Sequence, residues 1–252
     1  MRLRVLVMTF GVAALVAGCG SGDGDSAGSP APAAPRSDDL PQGSEPVHLD
    51  PADFTTKIDN RYWPMAPGTR WIYRERGENG RTQRVTVTVL RRTKKVAAGV
   101  RARVIHDVVT QGGRLIEETY DWYAQDSAGN VWYLGEDTTE HGDEGATKEG
   151  SWEAGVHGAQ AGVIMPARPR PGLRYRQEYY AGHAEDRAEI ASLDGRAKVP
   201  FGRFTDVLVT RDSNPLKRGA FEHKYYAAGI GPVLGVSRGG SREELVRFRR
   251  GR

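Results

Sequence analysis

Arg84-Val85-Thr86-Val87-Thr88-Val89 alternates polar and apolar residues at every step, the period of a strand with one face buried and one wet. Similar strand-like runs recur over 104–110, 115–125, 131–138, 173–180, 204–211, 221–228 and 232–237. Between them stand turn-forming groups: Gly112-Gly113, Ser127-Ala128-Gly129-Asn130, Asp194-Gly195 and Ser213-Asn214-Pro215. Past residue 66 no apolar stripe at helical spacing exceeds two turns. The pattern predicts an all-β body, an antiparallel meander forming a barrel or a sandwich.

The pattern also echoes itself. Pro67-Gly68-Thr69-Arg70-Trp71 returns as Pro171-Gly172-Leu173-Arg174-Tyr175, and Val96-Ala97-Ala98-Gly99 as Val199-Pro200-Phe201-Gly202. Trp122-Tyr123-Ala124 returns as Tyr225-Tyr226-Ala227, and Gly129-Asn130-Val131-Trp132 as Gly231-Pro232-Val233-Leu234. Four matches in order at a nearly constant offset predict two tandem strand repeats, 67–135 and 171–238. The stretch 136–170 interrupts the echo as an insertion. Trp152, Val163, Ile164 and Met165 would dock it on the body as a lid or rim loop.

The N-terminus carries an address. Arg2 and Arg4 precede an apolar run, Val5 to Val16, so residues 1–18 read as an export signal. Cys19, the single cysteine of 252 residues, follows Leu15-Val16-Ala17-Gly18. This resembles the lipobox of bacterial lipoproteins, which implies cleavage before Cys19, acylation of its sulfur and a lasting membrane anchor in the cell envelope. One cysteine excludes a disulfide framework. Residues 19–50 are Gly, Ser, Ala, Pro and Asp with little to bury, the composition of a disordered tether. Gly24-Asp25-Ser26-Ala27-Gly28 matches a nucleophile elbow but lacks the strand and helix such an elbow requires. Export also argues against a nucleic-acid partner. Arg242 to Arg252 reads as a basic, frayed tail after a β-rich domain spanning 51–241.

Several longer motifs stand out: Ile58-Asp59-Asn60-Arg61-Tyr62-Trp63-Pro64, Asp121-Trp122-Tyr123-Ala124-Gln125-Asp126, Glu149-Gly150-Ser151-Trp152-Glu153-Ala154-Gly155, Tyr175-Arg176-Gln177-Glu178-Tyr179-Tyr180 and Glu222-His223-Lys224-Tyr225-Tyr226. Together they resemble a family of uncharacterised bacterial secreted or lipoprotein sequences, over about residues 53 to 235. The resemblance implies no activity.

Candidate chemistry is sparse. The six histidines form no metal-binding pair. His106 shares a strand face with Val104 and Val108, the setting of a hydrogen-bonded core histidine. With a turn at 181–183, Arg176 and Glu178 face Glu185, Arg187 and Glu189, as a surface salt-bridge ladder or as a site in which burial shifts the carboxyls. Glu149 and Glu153 would complete the latter, with a carboxylate-held cation as the lesser reading. The doublets Trp122-Tyr123, Trp132-Tyr133, Tyr179-Tyr180 and Tyr225-Tyr226 place one ring on each sheet face, enough to line a cavity for an amphiphile or sugar. The candidate ligand-binding set is Trp122, Trp132, Glu149, Trp152, Glu153, Glu178, Tyr180, Glu185 and His223. The expectation is a lipid-anchored, non-enzymatic envelope protein, without metal or cofactor, binding a small amphiphile or a protein partner. The alternatives are a hydrolase of an envelope polymer using Glu149, Glu153, Glu178 and Glu185, and a structural scaffold.

Overall fold

The computed structural model describes residues 40–77, 80–143 and 145–251; the export signal and Cys19 lie outside them. In chain order the strands are β1 Phe54–Thr55, β2 Arg70–Arg76, β3 Thr82–Lys95, β4 Arg101–Gln111, β5 Arg114–Asp126, β6 Val131–Gly142, β7 Gly145–Thr147 and β8 Trp152–Glu153. They continue as β9 Gln160–Met165, β10 Arg174–Arg176, β11 Glu178–Tyr179, β12 Arg187–Val199, β13 Gly202–Ser213, β14 Phe221–Ala227, β15 Gly231–Ser237 and β16 Arg242–Arg249. The wall runs β10-β12-β13-β14-β15-β16-β2-β3-β4-β5-β6-β9-β11, antiparallel throughout, and forms a nearly closed barrel.

The ends of that path are adjacent in the chain. β10 pairs with β12, β11 with β9, and Gln177 alone joins them. At this seam Arg176 donates from Nη2 to the Ala161 carbonyl at 2.9 Å. A Cβ on Gly162 would overlap the Arg176–Gln177 backbone, so only glycine lets the two edges meet.

The echoing segments hold matching places. Pro67–Trp71 leads into β2 and Pro171–Tyr175 into β10; residues 96–99 and 199–202 form the β3–β4 and β12–β13 turns. Trp122–Ala124 lies in β5 and Tyr225–Ala227 in β14, each followed by the strand that pairs with it.

Four expectations need correction. The terminal arginines are not a frayed tail, because 242–249 is β16, hydrogen-bonded between β15 and β2. The stretch 136–170 supplies part of β6 and all of β9, a wall strand, because Val163 and Met165 are apolar enough to be buried there. Asp194-Gly195 is no turn but an irregularity inside β12, where a Cβ on Gly195 would collide with Val209. Residues 40–50 lie against the wall: Pro41 accepts from the Arg176 amide, and Gln42 donates to the Arg174 carbonyl at 2.6 Å.

The turns at 96–100, 127–130, 200–201 and 228–230 share one end of the barrel, the lower end; those at 77–81, 112–113, 214–220 and 238–241 share the upper. Residues 58–66 plug the lower end. Asn60 fixes the plug, donating to the Gly129 and Pro166 carbonyls and accepting from the Tyr62 and Trp63 amides. Gln125 accepts from the Asp59 and Asn60 amides. Trp63 packs on Tyr123 and Tyr226, with ring centroids 6.0 and 5.5 Å away. The space left among Trp63, Met65, Trp71, Tyr73, Val87 and Ile105 is too tight for water. The described core residues form one continuous cluster from Leu40 to Leu245, as expected of a domain able to fold alone.

Candidate functional site

Above the plug the interior changes character. Alternation along β14 turns Glu222, Lys224 and Tyr226 inward while Phe221, His223 and Tyr225 stay half-buried outside. Register places Thr210 opposite Lys224 and Asp212 opposite Glu222. Across the barrel the same period sets Glu75 opposite Glu243 and Asp121 opposite Glu136, all buried. Like charges directly opposed across strands are destabilising, and burial multiplies the penalty.

Of the buried cations, Arg103 and Arg176 donate largely to backbone carbonyls. Lys224 serves the acids: Nζ lies 2.9 Å from Asp212 Oδ2 and 3.9 Å from Glu222 Oε2. Burial works against its charge, but Asp212 and Glu222 outweigh burial and raise its pKa. Lys224 is therefore held as an ammonium between its two acids.

Lys217, half-buried, also acts electrostatically on Asp186. Burial pushes Glu222 up to about 8 and Asp186 up to about 7, in both cases against the pull of Lys224. Glu178 is raised well above the carboxylate range, by burial and then by Asp186. Neither oxygen of Glu222 accepts a hydrogen bond among the described residues. The phenols of Tyr123, Tyr175 and Tyr226 are held neutral by burial, well above the usual tyrosine pKa. The hydroxyls of Tyr123 and Tyr175 have no hydrogen-bond partner among the described residues. Buried groups of this kind ordinarily find partners. The layer thus gathers buried acceptors, Glu178, Asp186 and Glu222 among them, around the Lys224 ammonium.

The residues expected from the sequence fall in several places. Glu178 is 1% exposed and faces the interior, and Trp152 lies against its carboxyl. The Trp152 ring also meets Tyr133 edge-on at 5.2 Å. The others lie outside this layer. Glu153 is bound to Lys94 at 2.7 Å and to the Ala97 amide. Trp122 carries the Lys94 ammonium 3.4 Å above its ring. Trp132 donates to Asp126 at 2.8 Å and packs edge-on against Phe54. Glu149 sits on an exposed turn. Glu185 accepts from the Gly182 amide at 3.0 Å, and Tyr180 stacks on His183 at 4.5 Å in the same turn. His223 stands outside against Phe221. Glu149, Glu153, Glu178 and Glu185 therefore do not converge, and Arg174 rather than Arg176 bonds Glu189, at 3.0 Å. His106 is not in the core: it is on the outer face, 2.7 Å from Glu118 and stacked on Tyr120, because its strand neighbours Ile105 and Asp107 point inward.

Asp186, Asp212, Glu222, Lys224 and Tyr175 were not among the expected site residues. Among the described residues, no group of three or more His, Cys, Asp or Glu side chains is placed to hold a metal ion. No protein-family model, curated protein or solved structure matches the chain.

Proposed function

We propose that the chain is a non-catalytic, lipid-anchored protein of the cell envelope whose barrel takes up the cationic head of a small amphiphile. The carrying observation is Glu222: fully buried, both oxygens without a hydrogen bond among the described residues, across the sheet from Asp212 and 3.9 Å from the Lys224 ammonium. An ammonium group among Glu222, Glu178 and Asp186 would form charge-assisted hydrogen bonds of the kind Lys224 already makes with Asp212. Such a ligand would take the place of the protons that the raised carboxyls otherwise hold.

The packed lower half limits how deep a ligand reaches. Only its polar end enters, and any apolar portion stays at the upper rim, where Leu216 is 36% exposed and Tyr180 and Phe221 are half-buried. Lys224, locked as an ammonium, favours binding over covalent chemistry. A second reading, an envelope protein as partner, rests on an outer groove of about 440 Å³ between Val47, Leu49, Ala98, Ala154 and Gln160, a volume within the usual range of binding sites.

Native mass spectrometry of the chain exported in its bacterial host, compared with its denatured mass, tests the first reading. An amine-bearing adduct of several hundred daltons, lost on denaturation and absent from Glu222→Gln, is expected. A bare native mass, or an adduct unaffected by Glu222→Gln, would contradict it.

A further inference from the structure

The outer wall of β16, β2 and β3 is the electrostatic reverse of the interior. Register sets Arg242 opposite Arg76, Arg249 opposite Arg70, and Arg74 opposite Arg84. All six side chains are exposed. Arg247 lies opposite Ile72 on the same face. Glu244 is an acid set among them, shared by Arg74 at 2.9 Å and Arg242 at 3.3 Å. Glu244, the register partner of Arg74, offsets Arg74 and Arg242, while Arg249 opposite Arg70 and Arg74 opposite Arg84 remain like charges directly opposed on adjacent strands, a face suited to an external anion.

We infer that this face is a docking surface for an anionic lipid bilayer, which goes beyond the interior ligand site and does not depend on it. Neighbouring strands are about 4.8 Å apart and same-face residues about 6.8 Å apart along a strand, so the backbone positions carrying these arginines span roughly 10 Å by 20 Å of the wall. An array spread over that area meets several phosphates at once rather than one small anion, and each guanidinium fork matches two phosphate oxygens. Charge complementarity is joined by an apolar contact. The β16 ladder is irregular between Leu245 and Arg247, and the intervening Val246 is 41% exposed beside the arginines, placed to enter the headgroup layer. The barrel would lie on its side against the membrane, with its upper mouth near the surface.

Flotation of residues 40–251 with vesicles tests this without contribution from the N-terminal segment. Vesicles of about one-third phosphatidylglycerol in phosphatidylcholine should carry the protein at low salt and lose it as salt is raised, whereas pure phosphatidylcholine should not carry it. The triple variant Arg74→Gln, Arg84→Gln, Arg249→Gln should bind at least about 30-fold more weakly. A control triple on the β12–β13 hairpin, Arg196→Gln, Lys198→Gln, Arg203→Gln, should change binding less than about three-fold. Equal binding to neutral vesicles, or an equal loss in the control, overturns the proposal. Tighter binding to soluble polyphosphate than to anionic vesicles at matched charge also overturns it, pointing to a soluble phosphate polymer instead. Glu222→Gln should leave vesicle binding unchanged, so failure here is distinguishable from failure of the interior site.

Discussion

Replacing Lys224 with methionine is expected to cost the barrel about 3–5 kcal/mol at pH 8, the usual penalty for removing one partner of a buried ion pair. Methionine fills similar volume, so the loss is electrostatic rather than a cavity effect. Asp212, 2.9 Å from Nζ, and Glu222, 3.9 Å away, would face each other across β13 and β14 with no cation between them. Urea unfolding of residues 40–251 measures the effect as a lower midpoint at unchanged slope. The loss should shrink at pH 5.5, where Glu222 and Asp186 are protonated and have less need of a cation. The double variant Lys224→Met, Asp212→Asn should recover at least half of the loss, because it removes charge from both sides of the pair. A single variant as stable as the parent at pH 8 would show that Lys224 does not hold the layer together.

Stability of the ligand-free barrel should fall as pH rises, opposite to ordinary acid denaturation. Asp186 rises from an ordinary carboxyl pKa of 3.8 to about 7 on folding, and Glu222 from 4.5 to about 8. Above about pH 4.5 the folded protein therefore holds protons that the unfolded chain has released. Where the native state binds more protons, unfolding free energy declines with pH. The contribution is fully present below the unfolded values and is lost as pH passes through about 7 to 8. A shift of three units corresponds to about 4 kcal/mol for an isolated group. These carboxyls interact, so a combined loss on the order of 3–5 kcal/mol between pH 5.5 and 8.5 is expected. That is a drop in Tm of roughly 6–20 °C for a domain of this size. Below about pH 4 the curve should turn over, since Gln125 and Lys57 hold Asp59 low and His106 holds Glu118 low. Calorimetry across this range gives the slope. Glu222→Gln should flatten its alkaline part, and a stability flat or rising from pH 6 to 8.5 would refute the assignment of raised carboxyls.

The fold was legible because strand alternation and Gly-rich turns are local signals. β3 shows its period plainly at 84–89, and the echoing motifs fall at matching positions in the wall. β16 was not legible: Arg242-Glu243-Glu244-Leu245-Val246-Arg247 carries charge on both faces, and only its pairing with β15 and β2 makes it a strand. The site was largely hidden for a related reason. Along Phe221-Glu222-His223-Lys224-Tyr225-Tyr226, one face reads aromatic and the other charged, so the usual inference puts the aromatic face in the core. Barrel closure reverses that assignment, placing Glu222 and Lys224 inside and Phe221 and His223 outside. Glu178 and Trp152 were singled out because their motifs drew notice, whereas no local pattern could show that they meet in the interior. The like-charge register of Asp212 with Glu222 exists only between strands. It becomes visible once pairing is known.

Isothermal titration of residues 40–251 with octylammonium at pH 8 tests the central claim most directly. One ammonium per barrel should bind with release of protons from the raised carboxyls, so that the measured heat changes with the ionisation enthalpy of the buffer. Octanol and octanoate, with the same tail, should give no binding, and Glu222→Gln should weaken the ammonium at least about ten-fold. No heat with octylammonium, or equal affinity for octanoate, would contradict a cation-accepting interior.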